Sequence, residues 1–312
     1  MDRFIIIDGN AILHRAYHAL PPLTNKDGKI TNAVYGFSAI VLKVISDFKP
    51  QYLAVTFDRP APTFRKKLYK EYQAKRPEME DNLSSQIEMI HDLVKALGIP
   101  IYELDGYEAD DLIGTISRTI DGKVEKIIVT GDRDIFQLVN KDTKVLMPTK
   151  GLSEGKLFGV TEVKEKMGVS PNEITYLKAL TGDSSDNYPG VSGIGPKTAT
   201  FLIENYKTID GIYNAIKTQK FSVKIPDKVV ERLAEGHQDC MMSLKLATIV
   251  TDAPIKFDLN KAKLPQNGEK FARVFQEFGF ESLSRRASGK VIQPAPKPKI
   301  ETKPKENQLG LF

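Results

Sequence analysis

The sequence predicts an α/β protein with a mixed, mostly parallel β-sheet flanked by helices, followed by a helical region. The first half alternates short apolar, β-branched runs with stretches of helical period, as in a sheet wound with helices. Runs such as 4–7 and 127–129 lack polar alternation, which is typical of parallel strands buried on both faces. After residue 160 the pattern becomes wholly helical.

The elements of the first half follow in a regular order. Strands are predicted at 4–7, 52–57, 101–104, 126–129 and 145–148, and helices at 11–19, 33–48, 83–97 and 109–120, with another helix starting at 134–138. Gly98 and Pro100 end the helix at 83–97, because glycine caps a helix and proline cannot continue one. A glycine-rich hairpin is expected at 150–156.

The second half contains a tight turn between helices. Helices are predicted at 161–167 and 171–181, the latter with Ser170 as its N-cap. Further on, Gly193 and Gly195 flank one apolar residue, and a helix to about residue 205 opens at once. Backbone amides at such a turn suit a phosphate. A simple turn that caps a helix is the alternative.

Length and composition are those of an ordinary globular protein. The 312 residues, 41% apolar and 27% charged, can bury a sizeable core in one large domain or two. The lone Cys240 can form no internal disulfide, which favours a reducing cytoplasm, and we expect it to be a small buried residue. No stretch is long and apolar enough for a membrane span, and the N-terminus runs straight into a strand. We expect a cytoplasmic protein.

Five short segments deliver carboxylates to what should be one edge of the sheet. These nine residues are Asp8, Asp58, Glu108, Asp110, Asp111, Asp132, Asp134, Asp183 and Asp186. Ligands collect at the carboxyl ends of strands in open α/β sheets, and converging carboxylates repel one another unless cations balance them. Each acid alone could be a helix cap, a turn former or half of an ion pair. Together they favour a site for Mg²⁺ or Mn²⁺.

A strongly basic segment directly follows Asp58. Residues 59–76 contain seven basic residues and one acid, with three aromatic residues interleaved. Cationic side chains beside a carboxylate cluster can hold phosphates, and aromatic rings can stack on bases. A solvated helix face with its aromatic residues packed inward is the alternative. The position next to Asp58 favours nucleic acid as the partner.

Six ordered motifs resemble those of a known family. They are Asp8-Gly9-Asn10, Val34-Tyr35-Gly36-Phe37, Phe57-Asp58, Tyr107-Glu108-Ala109-Asp110-Asp111, Thr130-Gly131-Asp132-Arg133-Asp134 and Gly182-Asp183-Ser184-Ser185-Asp186-Asn187. This series is similar to that of the 5′-nuclease, or flap endonuclease, superfamily. It most resembles the N-terminal 5′→3′ exonuclease domain of bacterial DNA polymerase I, over roughly residues 1–286.

The resemblance implies a PIN-like fold and a DNA substrate. It implies a nuclease core at 1–160 with a helical arch at about 63–85, and a helical DNA-binding region at 161–286 whose helix-three-turn-helix element lies at about 190–205. Members of the family cleave flapped, nicked or gapped duplex DNA near a 5′ end, and RNA primers hybridised to DNA. We therefore expect a monomeric phosphodiester hydrolase with two metal ions and no Ser-His or Cys-His nucleophile.

The same resemblance implies roles for individual residues. One divalent ion would be held, directly or through water, by Asp8, Asp58, Glu108, Asp110 and Asp111, and the second by Asp132, Asp134, Asp183 and Asp186. The expected DNA contacts are Arg15, Arg65, Lys70, Tyr72, Lys75, Arg76, Gly193, Gly195, Lys197 and Thr198. Loop carbonyls of the helix-three-turn-helix element would bind a K⁺ ion. We interpret His14, His18, His91 and His237 as structural or surface residues.

One position of the arch departs from the family pattern. The family usually carries Tyr-Lys-x-x-Arg, whereas this chain has Tyr72-Gln73-Ala74-Lys75-Arg76. Gln73 therefore replaces the lysine thought to neutralise the scissile phosphate. Either Lys75 or Lys70 substitutes for that charge, or the enzyme is slower.

The C-terminus carries a further prediction. Residues 287–306 contain four prolines and five lysines without an apolar period, so we expect a disordered linker. The tail, residues 307–312, contains Gln308, Leu309, Leu311 and Phe312 and resembles the pentapeptide with which bacterial proteins bind the sliding clamp. A merely apolar terminus is the alternative. The chain is too short for polymerase domains, and the tail favours a stand-alone enzyme over an excised fragment.

Two other classes of function are weaker candidates. A non-catalytic DNA-junction binder recruited to the clamp is disfavoured, because all nine acids are present. A PIN-like ribonuclease ranks last, because such proteins are usually much shorter and lack the hairpin around Gly193 and Gly195.

Overall fold

A six-stranded sheet forms the centre of the computed structural model, which describes residues 1–120, 122–149, 154–265 and 267–289. The strands are β1 (Asp2–Asp8), β2 (Tyr52–Thr56), β3 (Ile101–Tyr102), β4 (Val124–Val129), β5 (Thr143–Pro148) and β6 (Gly155–Phe158). Their order is β3-β2-β1-β4-β5-β6. Neighbouring strands are parallel except for the antiparallel pair β5 and β6. The predicted mixed, mostly parallel sheet is confirmed.

Helices surround this sheet and dominate the second half of the described chain. They are α1 (Gly9–Ala19), α2 (Asn32–Phe48), α3 (Phe64–Leu68), α4 (Asp81–Leu97), α5 (Ala109–Thr119), α6 (Val160–Met167), α7 (Ile174–Thr181), α8 (Pro196–Tyr206), α9 (Ile209–Thr218), α10 (Asp227–Glu235), α11 (His237–Ala247), α12 (Gly268–Glu277) and α13 (Glu281–Ala287). Short 3₁₀ helices cover Asp134–Leu138, Pro171–Glu173 and Leu259–Ala262. Two of these replace predicted α-helical turns, at 134–138 and at the start of 171–181.

Both faces of the sheet are buried, as the apolar runs predict. Phe4 and Ile6 of β1 point into a core shared with α5, α7, α8 and α9. Ile5 and Ile7 point into a second core shared with α1, α2, α4, α12 and α13. All four side chains are fully buried. Helices from both halves of the chain therefore cover each face, which makes the sheet a rigid platform for its carboxyl edge.

The segment predicted to form a helical arch is helical only near its ends. Residues 63–85 contain the short helix α3, turns over 70–75, a stretch without regular secondary structure at 77–80 and the beginning of α4. Gln73 adopts a left-handed backbone conformation with φ of 56°, and Pro77 disfavours a helical residue before it. The side chains in the middle of the arch segment therefore project from turns and not from one face of a helix.

Several predictions fall wholly or partly outside the described residues. They concern the tip of the hairpin at 150–156, the linker at 287–306 and the tail at 307–312.

Cys240 is fully buried, as predicted. Within the described parts of the chain, no helix has the length and apolar character needed to cross a bilayer.

Candidate active site

The predicted carboxylates meet in a cleft at the carboxyl edge of the sheet. Asp8 is the last residue of β1, Asp58 lies two residues beyond β2, and Glu108 is the N-cap of α5. The cleft has a volume of about 900 Å³, and its lining includes Asp8, Asp58, Glu108, Asp110, Asp132, Asp134 and Asp186. The parallel strand order brings these side chains together although they are up to 178 residues apart in the sequence (186 minus 8).

Hydrogen bonds fix the two carboxylates that follow β1 and β2. Asp8 caps α1, accepting from the Ala11 amide at 3.0 Å, and it also accepts from the Thr130 hydroxyl at 2.6 Å. Asp58 accepts from the Ala109 amide at 2.7 Å, at the first residue of α5. Each carboxylate therefore links its strand to a neighbouring element, which holds its oxygens in place before any ligand binds.

Little positive charge of the chain contacts the first carboxylate group, by which we mean Asp8, Asp58, Glu108, Asp110 and Asp132. Burial raises the pKa of Asp8 and that of Glu108 to about 7. The pKa of Asp110 lies well above its ordinary value, first because of burial and then because of the charge of Asp132. Of the described residues, Arg65 alone forms an ion pair here, at 3.4 Å from Glu108. An external cation would therefore favour the ionised forms of Asp8, Glu108 and Asp110.

Asp134, Asp183 and Asp186, which we call the second carboxylate group, are arranged differently. They offer oxygens that lie within 4.8 Å of one another. The Lys178 ammonium of α7 forms an ion pair with Asp134 at 2.6 Å and another, closer one with Asp183. Burial acts to lower the pKa of Lys178, but its carboxylate partners raise it above its ordinary value. Asp132, predicted to belong here, acts electrostatically on Asp134 as well as on Asp8 and Asp110, and accepts from the Asp134 amide at 2.8 Å, so it lies between the two groups.

Asp111 and Arg65 depart from their predicted roles. Asp111 is fully buried, and both of its oxygens are bonded to the Arg65 guanidinium at 2.7 and 2.8 Å. They also accept from the backbone amides of Glu108 and Val250. Arg65 is 2% exposed and donates further to the carbonyl of Leu246. Asp111 does not line the cleft; Arg65 does, but its guanidinium is bonded to Asp111 and to backbone carbonyls. The prediction of a metal ligand at Asp111 and that of a DNA contact at Arg65 are therefore corrected to a buried structural ion pair at the edge of the cleft.

The end of the basic segment contacts the second carboxylate group. Arg76 forms an ion pair with Asp186 at 2.6 Å, although its side chain remains 51% exposed. The Gln73 side-chain amide donates to the same carboxylate at 3.3 Å. Tyr72 is buried and stacks on Tyr188, so it is not available to stack on a base as expected. Lys70 and Lys75 are exposed and remain candidates for DNA contact.

The first helix contributes differently from the prediction. Arg15 does not line the cleft, and its guanidinium donates to the Thr149 carbonyl at 2.8 Å, so its expected place facing a cleft phosphate is corrected. Instead Asn10, His14 and His18 line the cleft from α1. The two histidines are exposed, as expected, but sequence analysis gave them no place in the site. Their spacing of four residues, which puts them on one helix face, was the available signal.

The turn before α8 contains two glycines, Gly193 with a left-handed backbone and Gly195 with free space beside its Cα. Gly193 has φ of 75°, a conformation that side-chain-bearing residues rarely adopt, and its carbonyl accepts from Arg232 at 2.9 Å. Gly195 has an ordinary φ of −93°, and a Cβ atom built there would meet open space. Lys197 is exposed on the first turn of α8, and Thr198 beside it is partly buried. The turn therefore presents an accessible backbone and a cation together.

Comparisons with known proteins agree with this fold. The model of the 5′-3′ exonuclease N-terminal resolvase-like domain matches residues 3–168, and that of the 5′-3′ exonuclease C-terminal SAM fold matches residues 169–270. The 5′-3′ exonuclease of Aquifex aeolicus is 36% identical over 91% of this chain and 94% of its own length. DNA polymerase I of Caldicellulosiruptor bescii is 40% identical over 91% of this chain.

The polymerase relatives are much longer proteins. The chain spans about a third of their length, 33% of the Caldicellulosiruptor bescii protein. The bacteriophage T5 D15 flap endonuclease, solved in a complex with DNA and metal ions, shares the fold with a TM-score of 0.64. It is 18% identical, and the match covers 92% of this chain and 98% of the phage protein.

A cleft floored by carboxylates at the edge of a resolvase-like sheet, with a SAM-like helical half, defines a nuclease. The chain belongs to the 5′-3′ exonuclease family.

Proposed function

We propose that the chain hydrolyses flapped, nicked or gapped duplex DNA near 5′ ends, and RNA hybridised to DNA, with two Mg²⁺ or Mn²⁺ ions. The observation that carries this proposal is the first carboxylate group, whose five carboxylates line one cleft with a single ion pair, from Arg65 to Glu108 at 3.4 Å, among the described residues. A relative of almost equal length, a 5′-3′ exonuclease, supports the same activity. The basic segment at 59–76 lies beside this group and suits a phosphate backbone.

The donor atoms fit hard divalent ions, because all of them are carboxylate oxygens. We assign one ion to the first carboxylate group and the other to the second carboxylate group. Ions bound in such a pair lower the pKa of water and stabilise the leaving oxygen of a phosphodiester. The chain itself positions the substrate. Arg59, Lys66 and Arg76 line the cleft and can hold the phosphate backbone beside the carboxylates.

A cleavage assay tests the proposal. A duplex with a labelled 5′ flap should release short oligonucleotides in Mg²⁺ and remain intact in EDTA, and mapping of the products gives the position of the cut. Equal cleavage in EDTA would contradict the metal-dependent mechanism. Tight binding of the flap without cleavage in any divalent ion would make the chain a junction binder instead.

The open turn before α8 is proposed to hold the DNA backbone. Lys197→Ala should weaken duplex binding equally for all sequences and reduce the slope of log affinity against log salt by about 1. The reason is that one exposed lysine neutralises one phosphate. Binding isotherms at several salt concentrations measure this slope.

Gly195→Ala is a companion variant for the same surface. Because a Cβ at Gly195 meets open space and φ is ordinary, thermal stability should not change. Duplex affinity should fall if a phosphate approaches this backbone closely. An unchanged salt slope in Lys197→Ala together with unchanged affinity in Gly195→Ala would place the DNA elsewhere.

The family resemblance implies a K⁺ ion at this turn. In this chain the Arg232 guanidinium would compete with that ion for a loop carbonyl. The Gly193 carbonyl already accepts from the Arg232 guanidinium, whose carbon lies 2.6 Å from the position of a Cβ built on Gly193. We therefore propose that Arg232 supplies positive charge at the turn. Duplex binding that is the same in K⁺ and Na⁺ at equal ionic strength is the expected result.

The tail is proposed to bind the bacterial sliding clamp. Leu311 and Phe312 would fill an apolar cleft and Gln308 would fix the register, as anchors and polar contacts do in other docked peptides. Deleting 308–312 should spare cleavage of free oligonucleotide substrates and abolish stimulation by clamp loaded on DNA, because tethering raises the effective concentration. A calorimetric titration of the tail peptide into the cognate clamp measures the contact, and absence of binding at high micromolar concentration would exclude it.

A further inference from the structure

Each member of the second carboxylate group already contacts a cation of the chain. Lys178 forms ion pairs with Asp134 at 2.6 Å and, more closely, with Asp183. Arg76 forms an ion pair with Asp186 at 2.6 Å. Three negative charges therefore face two positive charges, and the side chains of all three carboxylates are no more than 17% exposed. The second group carries most of its counter-charge within the protein.

The first carboxylate group has no such balance. Within the described residues, Asp8, Asp58, Asp110 and Asp132 form no ion pair, and Glu108 has a distant one to Arg65. A divalent ion at the first group thus meets carboxylates whose one ion pair among the described residues is at 3.4 Å, whereas one at the second group must compete with ammonium and guanidinium groups already in contact. A cation of the protein held at this distance repels a divalent ion and competes with it for the carboxylates. The two groups should therefore differ in affinity for the same metal.

The two resident cations also differ in how freely they can move. Lys178 is on α7 with its side chain 18% exposed, so it is held close to its carboxylates. Arg76 comes from the turn segment before Pro77, is 51% exposed and lines the cleft. Guanidinium groups bind phosphates with the same forked geometry that they use for carboxylates. A phosphodiester in the cleft therefore competes with Asp186 for Arg76.

We propose that Lys178 and Arg76 are resident counter-cations of the second carboxylate group, which binds a divalent ion tightly only after a substrate phosphate has withdrawn Arg76 from Asp186. The proposal rests on the proposed function and adds an order of events to it. In the free protein the two cations hold the carboxylates in place and keep the second ion weakly bound. With a phosphate in the cleft, the charge lost from Asp186 is replaced by the divalent ion.

Mn²⁺ binding to the DNA-free chain, followed by electron paramagnetic resonance of the free ion, tests this directly. The wild-type chain should bind one Mn²⁺ tightly and a second at least about tenfold more weakly. Lys178→Met and Arg76→Met each remove one resident charge and should tighten the second site by about tenfold or more. Lys178→Arg keeps the charge and should bind as wild type does. Lys95→Met, an exposed lysine of α4, makes the same change in net charge at a distance and should also bind as wild type does.

A cleaved duplex with a 5′-phosphate supplies the phosphate without a reaction. It should tighten the second Mn²⁺ in the wild-type chain and have much less effect in Arg76→Met, where no charge is left to withdraw. Two equally tight Mn²⁺ ions in the free wild-type chain would overturn the proposal. So would a second site that neither substitution changes.

Two further outcomes separate this proposal from the others. Should Lys178→Met fail to fold, Arg76→Met still decides the matter, because that side chain is half exposed and its removal leaves the core intact. A wild-type chain that binds no Mn²⁺ at all would overturn the proposed function, and this proposal with it. A chain with two tight ions that cleaves DNA would overturn only the order of events.

Discussion

Asp110→Ala should abolish most of the cleavage of 5′-flap DNA. Among the described residues, its carboxylate accepts no hydrogen bond and forms no ion pair, and it lies in the cleft with its pKa well above the ordinary value, chiefly because of burial. An oxygen placed this way has a divalent ion as its natural partner. Loss of several kcal/mol of metal-dependent charge stabilisation corresponds to a fall in turnover on the order of 1000-fold. Single-turnover cleavage in Mg²⁺ measures it.

DNA binding provides the control for this prediction. Affinity of Asp110→Ala for the flap duplex should stay close to that of the wild type, because the basic segment and the turn before α8 are untouched. Asp92→Ala, which removes an exposed carboxylate of α4 outside the cleft, should change neither rate nor affinity. Wild-type turnover in Asp110→Ala would show that the first carboxylate group does not hold the catalytic metal.

Asp111→Ala, in contrast, should lower the stability of the fold. The substitution would leave the Arg65 guanidinium buried without its carboxylate and would leave the amide of Val250 without its acceptor. Breaking one partner of a buried ion pair costs about 3–5 kcal/mol in the free energy of unfolding. Asp111→Asn, which keeps the shape but removes the charge, should fall between wild type and Asp111→Ala. Urea denaturation in EDTA measures these differences without a contribution from bound metal.

Asp110→Ala is the matched variant for this comparison, because the two residues are adjacent on α5. In EDTA it should unfold at the same urea concentration as wild type or at a higher one, since the repulsion from Asp132 and Asp8 is relieved. If Asp111→Ala kept full stability and lost Mn²⁺ binding, Asp111 would be a metal ligand after all.

The sheet and the position of its carboxylates could be predicted because their signals are local. Continuous apolar runs around Ile5 and Ile127 are buried on both faces, as such runs in a parallel sheet must be. An acid that follows such a strand lies at the carboxyl edge in any parallel order, so Asp8 and Asp132 arrive in the same cleft. The family motifs then implied how the acids divide between two metal ions, which composition and period alone do not give.

The arch segment shows where local signals failed. The composition favoured contact with nucleic acid and the family resemblance implied a helical arch, yet Tyr72 packs against Tyr188 and Gln73 and Arg76 contact Asp186. These partners lie more than 100 residues away in the sequence. Contacts between such distant positions override helix propensity, and nothing near residue 72 in the sequence announces them.

The sequence by itself thus determined that carboxylates gather at one edge of a parallel sheet beside a basic segment. Only the tertiary structure decided which acids face the cleft. Asp110 and Asp111 are neighbours, but successive helical residues point about 100° apart, so one faces the cleft and the other the buried Arg65. The structure likewise placed Lys178 between Asp134 and Asp183, because the packing of α7, and no local pattern, brings that ammonium to the carboxyl end of β4.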